Sequence, residues 1–376
     1  MTSTVLVLTS LISVALSAPY NNKTSCPCTT NTTSTNTIGP APTVTGTNLN
    51  LPTEAFGASI EGVSVNRYGD VFAADFRASG SAPALAYGFF HSTNEGIDTV
   101  LSKDNPILAL PNDTVPASFL AGARFLSDDS LLLTDASKKR VLRADDLGSG
   151  DAGVYTFCGN NSMLQPNDLA LSSKRESLIF LSGQNFTSDT TAGVSGDLWT
   201  CDGGLATQFP AEILKEANIH RTNGIETSPS GDYLYLSSAA NANGSVVSNK
   251  IFRFSLNTTI GTLLPQAPTL FYDFAADGTE AVDIDGMRTD ICGNLFVSRN
   301  GNGTVVKLSP EGKKLLTIEL PGMGGPSNLD FGGEDGKTLF AVGKCADNAT
   351  IGCAASWESD KPGKAWARLQ TKAGHF

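Results

Sequence analysis

The stretch from Asp283 to Leu308 reads Asp-Ile-Asp-Gly-Met-Arg-Thr-Asp-Ile-Cys-Gly-Asn-Leu-Phe-Val-Ser-Arg-Asn-Gly-Asn-Gly-Thr-Val-Val-Lys-Leu. An acidic residue opens an apolar-alternating run, a Gly turn follows, and two further runs with period-two apolarity flank a second Gly-rich turn, which is the pattern of short antiparallel strands. The phrase recurs as Glu61-Gly-Val-Ser-Val with Gly69-Asp-Val-Phe-Ala-Ala, as Asn167-Asp-Leu-Ala-Leu with Ser177-Leu-Ile-Phe, and as Asn223-Gly-Ile-Glu-Thr with Gly231-Asp-Tyr-Leu-Tyr-Leu. Weaker copies begin at Ala121-Gly-Ala-Arg-Phe and at Ser327-Asn-Leu-Asp-Phe, the last with one extra residue in its turn.

Copies starting at 61, 121, 167, 223, 285 and 327 are separated by 60, 46, 56, 62 and 42 residues. Further strand patterns lie between them, so each unit carries about four strands, the signature of a repeat array. The expected fold is all-β, a six-bladed β-propeller with a central metal site. A sandwich gives no reason for one phrase to recur with its turn at the same offset. The only helical window is Ala211 to Ala217. Ring closure is expected from residues around Leu51 to Phe56 together with Lys364-Ala-Trp-Ala-Arg-Leu, sharing the last blade so that no sheet edge stays open.

Charged residues make up 17% of the 376 residues and the formal net charge is −11, which disfavours nucleic acid or an anionic membrane surface as a partner. A small molecule or a cation suits this surface better. Val5 to Leu16 is apolar but too short to span a bilayer, and Ala15-Leu16-Ser17 before Ala18-Pro19 has the small residues of a signal-peptidase site. Residues 1–17 are therefore read as a signal peptide, 18–50 as a disordered Thr/Asn-rich lead-in, 51–376 as the propeller, and the mature protein as secreted. Sequons at Asn22, Asn31, Asn112, Asn160, Asn185, Asn243, Asn257, Asn302 and Asn348 agree with that route. Seven cysteines suit an oxidising compartment, with Cys345 and Cys353 close enough in sequence to bridge.

In a propeller the first strand of each blade lines the channel, so the first residue of each phrase forms a ring. That column reads Glu61, Ala121, Asn167, Asn223, Asp285 and then Ser327 or Asn328. Carboxylate and amide oxygens without His or Cys suit a hard cation, and two negative charges match Ca²⁺ or another divalent ion. Asn, Asp and Gly also start turns and cap nearby backbone, but turn chemistry alone does not require the carboxylates to share the channel-facing column. Arg124 and Arg288 sit three residues past the column, where strict alternation turns them away from the axis into packing or salt-bridge roles. His220 reads as a loop residue, and Asp168 as orienting Asn167 or capping its turn.

Glu61-Gly, Gln165-Pro-Asn-Asp-Leu-Ala-Leu, Thr222-Asn-Gly-Ile, Asp285-Gly-Met-Arg-Thr-Asp and Asn328-Leu-Asp-Phe-Gly-Gly-Glu-Asp-Gly-Lys-Thr-Leu-Phe resemble the gluconolactonase and regucalcin (senescence marker protein) family. Secreted fungal-type lactonohydrolases and diisopropyl fluorophosphatases belong to the same superfamily. The resemblance runs from about Gly57 to the C-terminus. It implies a six-bladed propeller holding one catalytic divalent ion, usually Ca²⁺, with Glu61, Asn223 and Asp285 as protein ligands and Asn167 binding metal or substrate. It further implies hydrolysis of a lactone or similar cyclic ester, with Asp285 as general base and Asn167, Gln165, Ser327 and Asn328 near the substrate. Sugar lactonases of the family carry Arg where this chain has Gln165, which argues against a glucono-lactone substrate. Fluorophosphatases carry His in the sixth blade, where Ser327 or Asn328 stands here, which argues against phosphotriesters. The competing readings are a non-catalytic, calcium-stabilised ligand-binding propeller and a metal-free, strictosidine-synthase-like propeller.

Overall fold

In a computed structural model, residues 40–51, 56–76, 87–93, 96–101, 118–147 and 153–372 are described. The signal peptide, most of the lead-in, the sequons Asn22, Asn31 and Asn112, and residues 52–55 of the expected closing segment lie outside these residues.

Period-two runs cut by Gly, Asn and Asp turns produce antiparallel strands that gather, among the described residues, into five four-stranded sheets and one five-stranded sheet. The chain is an all-β propeller with few helices. Its innermost strands are Ile60–Val65, Leu120–Phe125, Gln165–Leu171, Ile225–Thr227, Asp283–Thr289 and Met323–Gly332. Each adjoins the next, and the last returns to the first.

Most inner and second strands are apolar on both faces because each sheet is packed between two others. All seven residues of Leu178–Gln184 are buried, for example. The apolar side chains accordingly collect between sheets rather than at the centre. Phe72 and Phe125 meet between the first and second sheets, and Phe180 and Phe254 join one cluster between the third and fourth. Phe296 meets Phe331 edge-on between the fifth and sixth, at 4.9 Å and 83°. This arrangement leaves the axis to polar residues.

Closure differs from the expectation in two places. The outermost strand of the sixth sheet is Thr47–Asn48, antiparallel to Gly352–Glu358, and Thr43–Thr45 runs parallel to Lys314–Glu319 on the fifth. Residues 43–48 thus belong to the propeller and not to the lead-in. An outermost strand is held by backbone hydrogen bonds and needs little apolar surface, so its Thr-rich composition hides it. The C-terminal Lys364–Lys372 is an α-helix and not a strand. Ala, Arg, Leu and Gln favour helix, and Trp366 and Leu369, three residues apart, bury one face.

This helix lies across one end of the channel. Lys364 Nζ donates to Thr227 O at 2.7 Å, Arg368 Nη2 to Phe125 O at 2.7 Å and Gln370 Nε2 to Arg67 O at 2.7 Å. Just before it, Gly363 N donates to Gly336 O and Ile291 N donates to Pro362 O. The short helical window is Ala211–Glu216. Cys345 pairs with Cys353 as expected, Cys158 pairs with Cys201 across the second and third sheets, and Cys292 is also disulfide-bonded. No helix among the described residues is long and apolar enough to cross a membrane.

Candidate active site

One backbone device builds the site. The inner strands slip register between Glu61 and Ser64, Leu120 and Ala123, Pro166 and Leu169, Ile284 and Met287, and Pro326 and Asn328. The Arg221–Ala239 bridge and the Ile225–Leu236 pair carry the same one-residue slip in the fourth sheet. Ala121, Asn167, Asn223, Asp285 and Ser327 lie inside their slips, and Glu61, paired with Ala74, is the last residue before its own. A bulge of this kind re-aims a side chain. The glycine after the column residue follows from crowding. A Cβ on Gly224 would stand 2.1 Å from Asp285 O, and one on Gly62 would stand 2.3 Å from Ala121 O. Recurrence of Glu-Gly, Asn-Gly and Asp-Gly therefore records how closely the inner strands approach one another.

Glu61, Asn223 and Asp285 come together. Asp285 is 6% exposed and its Oδ2 accepts from Asn300 Nδ2 at 2.8 Å. Burial raises its pKa to about 7, helped by the charge of Asp283 and opposed by hydrogen bonds from Asn300 and Asn223 and by the charge of Arg221. The Glu61 carboxyl is raised well above its ordinary value, first by burial and then by the charges of Asp285 and Asp168. Asn223 is buried, and its Oδ1 has no hydrogen-bond donor. Asn167 occupies the equivalent bulge of the third strand. Its main-chain oxygen accepts from Thr134 Oγ1 at 2.8 Å, while its half-buried amide makes no side-chain hydrogen bond. Among the described residues no group of three or more His, Cys, Asp and Glu is placed to hold a metal. The donor set here is two carboxylates with amides.

The substrate-contact expectations fare differently. Gln165 is exposed at the start of its strand, opposite Gln184. Ser327 Oγ donates to Ile60 O at 2.6 Å, and Asn328 Oδ1 accepts from Leu329 N at 3.0 Å while packing on Gly286. Both side chains are buried in the seams of the sixth sheet, because the slip turns its polar residues toward neighbouring backbone.

The sequence reading missed two residues at the channel mouth. Arg221 donates through Nη2 to Asp283 Oδ2 at 2.5 Å and through Nη1 to Gln184 Oε1 at 3.0 Å. Phe186, 67% exposed, stands with its ring centroid 4.8 Å from the Arg221 guanidinium. Arg221 and Asp283 each lie two residues before a column residue of adjacent sheets, and that shared register was the available signal. His220 contacts Thr190 Oγ1 at 3.0 Å and Asn218 Oδ1 at 3.2 Å, and burial lowers its pKa. It touches neither channel carboxylate.

Arg124 and Arg288 do not turn away from the axis. The extra residue of the bulge brings the third position back to the channel. Arg288, from the fifth sheet, donates to Val63 O of the first at 2.9 Å and reaches Asp168 of the third at 3.4 Å and Asp330 of the sixth at 3.8 Å. Arg124 pairs with the other Asp168 oxygen at 3.2 Å. Asp168 thus ties two arginines together beneath the column, a salt-bridge role in a different place from the one expected.

A family model described as the SMP-30/Gluconolactonase/LRE-like region matches residues 100–342. The chain belongs to this family. Among solved structures, this SMP-30/gluconolactonase/LRE-like chain is similar to a calcium-binding protein, regucalcin, from Agrobacterium tumefaciens, at 15% identity and TM-score 0.61 over 86% of this chain and 99% of that one. It is also similar to a luciferin-regenerating enzyme, at 10% identity and TM-score 0.60 over 82% and 94% of the two chains. A gluconolactonase from Xanthomonas campestris aligns at 16% identity and TM-score 0.53 over 84% and 95%. At these identities the solved structures show the shared propeller fold. No match is found among curated proteins.

Proposed function

We propose that the protein is a secreted, divalent-cation-dependent hydrolase of a lactone or related cyclic ester, its six sheets acting as six blades around one site. The observation that carries this reading is the buried Asn223 Oδ1, which lacks a donor among the described residues and lies beside two carboxylates. Their pKa values are held up by burial and by repulsion from neighbouring carboxylates, Asp285 and Asp168 acting on Glu61 and Asp283 on Asp285. A hard cation satisfies that unpaired oxygen and relieves that repulsion, so the residues present fit Ca²⁺ or a similar ion. Glu61, Asn223 and Asp285 would hold it, with Asn167 beside them. When bound, the ion supplies charge that polarises an ester carbonyl and stabilises the developing oxyanion. Family membership supports lactone hydrolysis, and the apolar Val5 to Leu16 run supports secretion.

The remaining chemistry falls to the chain. Asn300 fixes the Asp285 carboxylate by a hydrogen bond to Oδ2, and the Asn223 side chain lies beside it. Asp285 takes a proton from a water whose oxygen attacks the carbonyl carbon. As the ring C–O bond breaks, that proton passes to the departing alkoxide oxygen, leaving a hydroxy acid. Exposed, neutral Gln165 and the Phe186 ring shape the mouth toward a lactone bearing an apolar or aromatic group rather than a polyhydroxylated one.

The deciding experiment measures proton release from aldonolactones, pantolactone and aromatic lactones, after chelation and after restoring Ca²⁺. Turnover lost on chelation and regained with Ca²⁺ supports the reading. Silence across the panel, with Ca²⁺ still raising the melting temperature, leaves only a binding propeller.

A further inference from the structure

At the helix-covered end of the channel, sharing no lining residue with the Glu61–Asp285 site, lies a cavity of about 210 Å³ whose wall includes Arg124, Ser172, Ser173, Glu226, Lys364 and Arg368. We propose that this cavity is a second binding site, taking a small oxyanion, either a phosphate or a carboxylate, between the second sheet and the C-terminal helix.

Three observations converge. Arg124 is 3% exposed, lines the cavity, and its Nη2 has no hydrogen-bond partner. A buried guanidinium N–H without an acceptor is costly, and an oxyanion is its natural complement. Second, the wall holds three cations against one carboxylate, and that carboxylate is engaged. Glu226 Oε1 accepts from Thr227 N at 2.7 Å and from Lys364 Nζ. Arg368 reaches outward to Glu176, which is not part of the wall. Burial and neighbouring positive charge push the pKa values of two of these cations down. Lys364 is lowered first by burial and further by Arg124 and Arg288, while Arg368 is lowered to about 10 by burial and by Arg124. Third, Lys364, Arg368 and Thr371, spaced along one face of the nine-residue helix Lys364–Lys372, line the cavity together, so two of the helix's cations are presented to the same space as Arg124.

Such an anion bridges Arg124 on the propeller to Arg368 on the helix, with the charge of Lys364, whose N–H groups are held by Glu226 and Thr227, beside it. It therefore fastens the helix that closes the channel, and binding stabilises the folded state by mass action.

The test uses the full chain freed of divalent ions by chelation, so that no cation at the other site captures the probe. Inorganic phosphate and acetate are titrated calorimetrically, and melting is followed against chloride at matched ionic strength. Saturable binding of one equivalent is expected, with a rise in melting temperature that chloride does not reproduce. Tighter binding of phosphate assigns a phosphate, and tighter binding of acetate a carboxylate. Thr371, exposed on the cavity wall, provides the control. Thr371→Glu sets a carboxylate at the opening and should weaken binding at least tenfold, leaving the unliganded melting temperature and lactone turnover unchanged. Arg368→Met should weaken it similarly. Absence of saturable binding by either probe, or binding unaltered in both variants, overturns the proposal.

Discussion

The Asn223 side chain lies beside Asp285 and helps to lower its pKa, while its own buried Oδ1 has no donor among the described residues. The pair is half complete, and a cation at the carbonyl oxygen would complete it. Asp285→Asn keeps the shape and the hydrogen bond from Asn300 but removes the base and one ligand charge. Turnover of any lactone substrate should fall about 10²–10⁴-fold, and Ca²⁺ should no longer raise the melting temperature. A variant as active as the parent would remove Asp285 from the mechanism.

The same pair sets a pH dependence for the metal-free protein. Asp285 is raised to about 7 and Glu61 is raised with it, so the folded state binds more protons than the unfolded chain above the ordinary carboxylate range. Stability should therefore decline as pH rises from about 4 toward 7 and then level off. Ca²⁺ held between these carboxylates should reverse the preference by favouring the ionised forms. Urea midpoints of dialysed and Ca²⁺-loaded protein across this range check it, and parallel curves would count against a cation between these carboxylates.

Phe186 over Arg221 offers an apolar face at the mouth. Phe186→Ala should raise KM for aromatic lactones about three- to tenfold, the size of one lost aromatic contact, while kcat changes little. An equal effect on aliphatic and aromatic substrates would show that the ring does not touch the substrate.

Beneath the column, Arg288 is 1% exposed and serves three other sheets. Arg288→Met leaves Asp330 without its ion pair and Asp168 with Arg124 alone, and stability should fall by about 3–5 kcal/mol. Adding Asp330→Asn should recover part of that loss in chemical denaturation, because it removes the buried charge that Arg288 had balanced.

The Cys158–Cys201 bridge spans 43 residues and joins two sheets, whereas Cys345–Cys353 spans 8 residues between adjacent strands of one sheet. Cys158→Ser with Cys201→Ser should cost about 2–4 kcal/mol, and the equivalent change at Cys345 and Cys353 less, by the loop-length dependence of closure entropy. Denaturant titration of the two double variants compares them.

By itself the sequence determined the repeat, the strand type, the short helix near Ala211 and the column from Glu61 to Asp285. These are local regularities, written in period-two apolarity and in glycines that recur at one offset because inner strands approach too closely for a Cβ. The tertiary structure decided what depends on partners. A one-residue slip is defined only by the strand opposite, so nothing in the local pattern turned Arg124 and Arg288 back to the axis or sent Ser327 and Asn328 into seams. Thr47–Asn48 could close the ring because an outermost strand needs backbone partners more than apolar side chains. Lys364–Lys372 became a helix rather than a strand because the end of the channel offered its Trp366 and Leu369 face a place to bury.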